Sequence, residues 1–304
     1  MRRRDFLKTG LAAGFGAAML GNVPEILAKT GKYFPTNYDL VAVKGGMPDK
    51  MFDKAIQSFG GMSKFVKKNQ RVVLKPNIGW DVLPELAANT NPLLVKRIIE
   101  HCFDAGAKEV LVFDNTCDDW SRCYSNSGIE RIVKSAGGKI VPGFKESYYQ
   151  KVSVPKGKRL KDAKVHELIL EADVFINVPI LKNHSSAKIT MAMKNHMGIV
   201  WDRGFWHRND LHQCIADFAS YRLPDLNILD AYNVMKTNGP RGVNAGDVVN
   251  IQSLLISKDI VAIDAAGAKL FGMEPADVDY IKIANSMGIG NMDLDKLNID
   301  RIKV

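Results

Sequence analysis

The sequence predicts an α/β protein: a largely parallel sheet with helices on both faces, arranged as one or two closely packed lobes. Three observations carry this. From Tyr38 onward, short apolar runs bounded by turn residues alternate with amphipathic stretches of helical period, the rhythm of βαβ units. The apolar run at residues 174–179 reads as a strand buried on both sides, as parallel strands are. It opens into a polar segment, and the carboxyl ends of strands are where open α/β sheets place their ligands.

Taken in order, residues 40–43 are a short apolar strand and residues 48–59 carry a helical pattern. Residues 71–77 are a strand that stops at Pro76. Asn91-Pro92 starts a helix with Leu94, Ile98, Ile99 and Cys102 on one side and Lys96, Arg97 and Glu100 on the other. Gly106 closes it, and residues 109–114 form the next strand. A helix at 128–136 ends at Gly137-Gly138 before a short strand at 139–141, and the basic, Tyr/Lys-rich stretch 143–164 reads as a hairpin insertion. After the strand at 174–179 comes the polar segment 182–186, then a helix-prone run at 187–197 whose first N–H groups would be open to an anion. Residues 199–208 mix aromatics, glycine and charge, as a pocket wall or lid would. Beyond them the pattern gives a helix at 210–220, a strand at 226–230, a turn-rich loop at 237–242, a strand at 248–257 and helices at 259–271 and 275–287.

The chain has 304 residues, a net charge of +9, 46% hydrophobic and 25% charged residues, within the ordinary range for a globular protein. Arg3-Arg4-Asp5-Phe6-Leu7-Lys8, followed by a mild Gly/Ala-rich apolar stretch at 10–20, resembles a twin-arginine export signal; the stretch is too short to span a bilayer. The expected division is a signal peptide at 1–28, read by the twin-arginine export machinery, and a single α/β domain at 38–304. Cleavage after Ala28 would remove four positive and two negative residues and leave +7. Localisation is then extracytoplasmic, the periplasm of a bacterium, with no integral membrane segment after cleavage. The basic balance fits an anionic ligand; no arginine-rich helix, zinc pattern or RNA-binding aromatic signature supports nucleic acid. Cys102, Cys117, Cys123 and Cys214 include no C-x-x-C spacing, so no iron–sulfur cluster is expected. In an oxidising compartment Cys117 and Cys123 are expected to pair, with Cys102 and Cys214 free.

The residues singled out for chemistry cluster around a repeated triplet, Lys182-Asn183-His184 and Lys194-Asn195-His196, together with Lys75 and Asn77 at the earlier strand end. Lysines and asparagines in this density suit a carboxylate or phosphate in a half-buried cleft. His184 and Lys194 are the candidate catalytic groups, His184 as general base or metal ligand and Lys194 as a proton-transfer amine. Lys75, Asn77, Lys182, Asn183, Asn195, His196, Asp230, Gly239, Arg241 and Asp264 are the candidate ligand-binding residues. Asp230 and Asp264 could hold a divalent ion or orient a lysine; their plainer roles are strand-end and first-turn capping. The segments 75–77, 182–184 and 194–196, with Asp230 and the loop 239–242, are expected to line one cleft under residues 201–207.

These landmarks together resemble the family called domain of unknown function 362. The matching pieces are Lys75-Pro76-Asn77, Gly106-Ala107 before the strand to Asp114, residues 172–179, Leu181-Lys182-Asn183-His184, Lys194-Asn195-His196-Met197-Gly198, Asp230, Gly239-Pro240 with Gly242, residues 259–264, residues 272–275 and 288–290. The resemblance spans about residues 38–290. Many relatives append a ferredoxin-like cysteine cluster, which this chain departs from. The family implies fold and site placement and no agreed reaction. The functional reading is an exported protein that binds a small anion in a Lys/Asn/His-lined cleft, with catalysis and a divalent metal ion both left open; the alternative is a non-catalytic accessory or binding protein for an exported redox system.

Overall fold

The computed structural model describes residues 38–304, so the expected signal segment lies outside the described residues. Among the described residues twelve strands and ten α-helices follow one another. The first half contains β1 (Leu40–Lys44), α1 (Pro48–Ser58), β2 (Arg71–Pro76), α2 (Pro92–Asp104), β3 (Glu109–Val112), α3 (Trp120–Asn126), α4 (Ile129–Ser135), β4 (Lys139–Ile140), β5 (Tyr149–Ser153), β6 (Asp162–His166), α5 (Glu167–Glu171) and β7 (Val174–Val178). The second contains β8 (Ile180–His184), β9 (Lys188–Thr190), α6 (Ala192–Asn195), α7 (Arg203–Arg208), α8 (Leu211–Ala219), β10 (Leu226–Met235), β11 (Val248–Ser257), α9 (Ile260–Phe271), α10 (Asp279–Ser286) and β12 (Ile299–Lys303).

Ten strands make one sheet in the order β12-β1-β11-β10-β7-β2-β3-β4, with β8 beside β10 and β9 beside β8; β5 and β6 form a separate hairpin. All main strands share one direction except β11, which is antiparallel to both β1 and β10. The sheet is thus largely parallel with helices on both faces. Alternation along the strands divides the core. Val72, Leu74, Val110, Val112, Val174 and Ile176 face α1, α2 and α4. Val73, Leu111, Phe113, Phe175 and Leu229 face α8, α9 and α10. Side chains two apart share a face, so Lys75 continues the row of Val73, and Asn177 that of Phe175. Both emerge on the α8–α10 side at the carboxyl ends of neighbouring strands, where Lys75 and Asn177 stand in register.

Two readings of the central segment need correction. The polar stretch 182–186 is not a loop: Lys182, Asn183 and His184 belong to β8, which resumes after Pro179 beside β10. The helix expected over 187–197 is instead a hairpin strand, β9, paired antiparallel to β8, then the four-residue α6 and a 3-10 turn through Ile199. The polar run tolerates burial because its side chains find partners far away in sequence, which periodicity does not register. Residues 203–208 form α7 rather than an irregular loop, with Asp202 accepting from the Phe205 N–H as its cap.

Candidate functional site

A cleft of about 520 Å³ opens at the carboxyl ends of β2, β3 and β8, lined among others by Lys75, Asn77, Asn115, Cys117, Lys182, His184, Thr190, Lys194, Asn195, Arg203, His207 and Pro240. Beneath it runs a chain of buried amides. Asn177 donates to Asn227 Oδ1 at 3.0 Å and accepts from Asn195 Nδ2 at 2.9 Å. Asn195 Oδ1 accepts from Lys75 Nζ at 2.8 Å and from Asn77 Nδ2 at 2.9 Å. Asn77 Oδ1 in turn accepts from Lys182 Nζ at 3.1 Å, and the same ammonium donates to the Ala88 carbonyl. Every amide in this relay uses both of its ends, which fixes the side chains of Lys75 and Lys182 before any ligand arrives.

Lys75 also pairs with Asp114 at 3.0 Å, both groups almost wholly buried. Burial pushes the Lys75 ammonium down, and Asp114 opposes the push. Gly198 passes directly over this pair: a Cβ there would lie 1.8 Å from Asp114 Oδ1 and 2.5 Å from Lys75 Nζ. The glycine is required by that approach.

Lys194, Thr190 and His184 each bring to the cleft a donor without a protein partner among the described residues. Lys194 is 8% exposed, and its ammonium has no hydrogen bond or ion pair among the described residues. Burial, with help from Arg203 and Lys75 and against the attraction of Cys117, lowers it to about 8. The Thr190 hydroxyl is buried without a partner. His184 accepts at Nδ1 from the backbone N–H groups of Ser186 (3.1 Å) and Ala187 (3.2 Å), closing the β8–β9 turn. Its proton therefore sits on Nε2, and the ring stays neutral: burial, then Lys194 and Lys182, push it down to about 2. Burial and the charge of Lys194 also bring Lys182 down to about 7, against the pull of Cys117.

The cleft thus gathers Lys75, Asn77, Lys182, His184, Lys194 and Asn195. The other sequence candidates lie elsewhere. Asn183 turns away and accepts from the Gly239 N–H at 2.9 Å; that packing leaves 2.0 Å between a Cβ on Gly239 and the Asn183 carbonyl, so the loop reaches the cleft through Pro240. Arg241 is exposed and pairs with Asp118 at 3.4 Å. His196 lies in the apolar layer between Phe175 and Phe218, with neither ring nitrogen partnered. Asp230 sits in a separate small depression, accepts from the N–H groups of Asn91 and Tyr232, and is raised by burial to about 6. Asp264 reaches across from α9 to accept from Ala192 N–H (2.7 Å) and Met193 N–H (3.0 Å), capping α6. It neither lines the cleft nor serves its own helix, and it takes the N–H groups expected to meet an anion. Burial raises it to about 8.

The segment 201–207 divides two hollows. Arg203, Gly204 and His207 face the cleft, whereas Trp201 and Phe205 line a larger depression of about 800 Å³ with Arg159, Lys161 and Lys164. There Lys164 is paired with Glu146 and Lys161 with the Gly157 carbonyl. The smaller cleft is the candidate site because it holds the buried, unpartnered Thr190 hydroxyl together with Lys194, which has no protein partner among the described residues. Arg203 and Cys117 were not singled out for it from sequence. The Arg203 guanidinium donates to the carbonyls of Asn115 (2.8 Å) and Thr116 (2.6 Å) and to Cys117 Sγ (3.4 Å). Cys117 and Cys123 are both free, correcting the expected disulfide: Cys117 faces the cleft while Cys123 is buried with its thiol on the Gly79 carbonyl at 3.7 Å. Among the described residues no group of three or more His, Cys, Asp or Glu is placed to hold a metal ion, and no helix is long and apolar enough to cross a membrane.

Residues 72–269 match the family described as domain of unknown function (DUF362). The chain belongs to this family. The thylakoid-associated protein sll1697 of Synechocystis is 26% identical to this DUF362 chain over 242 residues, 77% of the chain and 73% of that protein. Among solved structures, the lactate racemase apoprotein of Thermoanaerobacterium thermosaccharolyticum aligns with a TM-score of 0.47 and 13% identity over 74% of this chain. A Thermotoga maritima protein aligns at 0.42 and 13% over 79%. The DUF362 chain spans 55% and 58% of the lengths of these two structures.

Proposed function

We propose that this DUF362 protein is exported and binds a small carboxylate- or phosphate-bearing molecule in the cleft between β2, β8 and α7. The observation that carries the reading is the buried, unpartnered Thr190 Oγ1 at a cleft where Lys194 Nζ and His184 Nε2–H also have no protein partner among the described residues and the surrounding amides are satisfied. A buried hydroxyl without a partner is costly, and an anion in the cleft supplies an acceptor to it and to the Lys194 ammonium. The excess of Lys75, Lys182, Lys194 and Arg203 over Asp114, the one cleft carboxylate among the described residues, sets the sign of the ligand. His184 acts as a donor, since its acceptor nitrogen is committed to the turn. Lys194, titrating near neutrality, is the group best placed to exchange a proton with the ligand. Export rests on Arg3-Arg4 and the short apolar stretch after them.

Thermal unfolding with acetate, glycolate, succinate and inorganic phosphate tests the binding. A ligand of the native state raises apparent stability by about 2.7 kcal/mol at a hundred times its Kd. The expected result is a shift with at least one anion that is lost in Lys194→Met. No shift with any of them, or an equal shift in the variant, would overturn the proposal.

A further inference from the structure

The three cleft lysines differ in what holds them. Lys75 is fixed by Asp114, Asn195 and the Pro76 carbonyl, and Lys182 by Asn77 and the Ala88 carbonyl. Lys194 is buried to nine-tenths, lines the open cleft and touches no acceptor. Resting on the anion-binding reading above, we infer that Lys194 is a covalent amine, which condenses with the carbonyl carbon of a small anionic aldehyde or ketone to form an imine. The ligand's anionic group then takes the donors of Thr190 and His184, placing its carbonyl against the one amine with no other engagement.

The electrostatics agree with the geometry. Arg203 and Lys75 disfavour a third positive charge, and burial does so more strongly, so about a tenth of Lys194 is the free base at pH 7 when it titrates at about 8. A desolvated lysine beside other cations is an established way of making a nucleophilic amine. Lys182 spends two N–H groups on Asn77 and Ala88 and keeps one position on its nitrogen uncommitted; titrating at about 7, it can both give and take a proton there. The step balances without an oxidant. The Lys194 lone pair forms a C–N bond as the C=O π bond breaks, and the oxygen takes a proton from the Lys182 ammonium. The adduct nitrogen, now an ammonium, gives one proton to Lys182, which passes it to the hydroxyl. Water leaves as the C=N bond forms, and the remaining proton of the iminium nitrogen returns to Lys182, leaving the imine and the Lys182 ammonium.

Glyoxylate with cyanoborohydride is the probe, and glycolate, the same anion with a hydroxyl in place of the carbonyl, is the control. Reductive trapping at neutral pH followed by peptide mapping should place the carboxymethyl group on Lys194 well ahead of exposed lysines such as Lys50, Lys134 and Lys139. Glycolate should slow that labelling at least several-fold. The Lys182→Gln variant should label Lys194 more slowly while remaining folded by circular dichroism. Labelling spread over the exposed lysines with Lys194 unmodified would overturn the imine, and if glycolate still shifted the melting temperature, anion binding alone would stand. No shift with glycolate and no adduct at Lys194 would remove both readings.

Discussion

Replacing Lys194 by methionine should stabilise the unliganded protein, whereas the same replacement at Lys75 should cripple it. Both lysines are buried in one cleft, so the contrast comes from their partners. Lys194 has none, and its fall from the usual 10.5 to about 8 corresponds to roughly 3 kcal/mol against the charged form. Methionine keeps most of the apolar stem and removes the ammonium, so a gain of about 1–3 kcal/mol is expected at pH 7, since relaxation and water entry have already repaid part of the penalty. At about 2–4 °C per kcal/mol for a domain of this size, the melting temperature should rise by several degrees. Lys75→Met instead strands the Asp114 carboxylate, 2% exposed, and removes a donor from Asn195. Losing one partner of a buried pair costs about 3–5 kcal/mol. Urea titrations of both variants against the parent, at neutral pH and without added anion, measure the difference. A Lys194→Met protein destabilised by more than about 1 kcal/mol would contradict this, because Lys194 would then hold a structural contact.

Three further outcomes are expected. Gly198→Ala should destabilise the protein and displace the Lys75–Asp114 pair, because its Cβ would stand 1.8 Å from Asp114 Oδ1; a crystal structure or denaturant titration with the parent's values would contradict this. Burial holds the His196 ring down to about 3, below its unfolded 6.5, so the unfolded chain binds the extra proton between those values and stability falls as pH drops through that window, by about 2 kcal/mol at pH 5. His184 adds a slope of the same sign, and Asp264, raised to about 8, adds the opposite one between its unfolded 3.8 and 8; a His196→Leu variant should lose its own share of the acid slope, and an unchanged slope would count against it. Replacing Arg3 and Arg4 together by lysine should keep the protein in the cytoplasm on cell fractionation; export equal to the parent's would remove the signal reading.

The sheet and the placement of its strand ends were legible because parallel strands buried on both faces leave unbroken apolar runs. The ends of β2 and β7 were read directly from such runs. The β8–β9 hairpin was not, because Lys182, Asn183 and His184 are strand residues whose partners are Asn77, Gly239 and the turn at 186–187. Nothing local marks a polar strand as buried. The Lys-Asn-His doublet pointed to the right region but not to roles. Lys182 and Lys194 share the cleft, His184 closes a turn, and His196 and Asn183 point elsewhere, because a strand and a short helix aim equivalent positions differently. Asp264 was placed on the right helix, yet its role as a cap for α6 depends on a contact 72 residues away. Arg203 and Cys117 had no signal beyond an aromatic, charged stretch and a cysteine count.

The claim that an anion meets the Lys194 ammonium is tested most directly by calorimetric titration of glycolate, or of whichever anion gives the larger thermal shift, from about pH 6.5 to about pH 9.5. The ammonium must be present for the pair to form, so affinity should hold up to the region of Lys194's titration at about 8 and then fall by about tenfold per pH unit, with proton uptake on binding. In Lys194→Met that dependence should vanish together with most of the affinity. Binding of equal strength in the variant, or an affinity unchanged across the range, would contradict it.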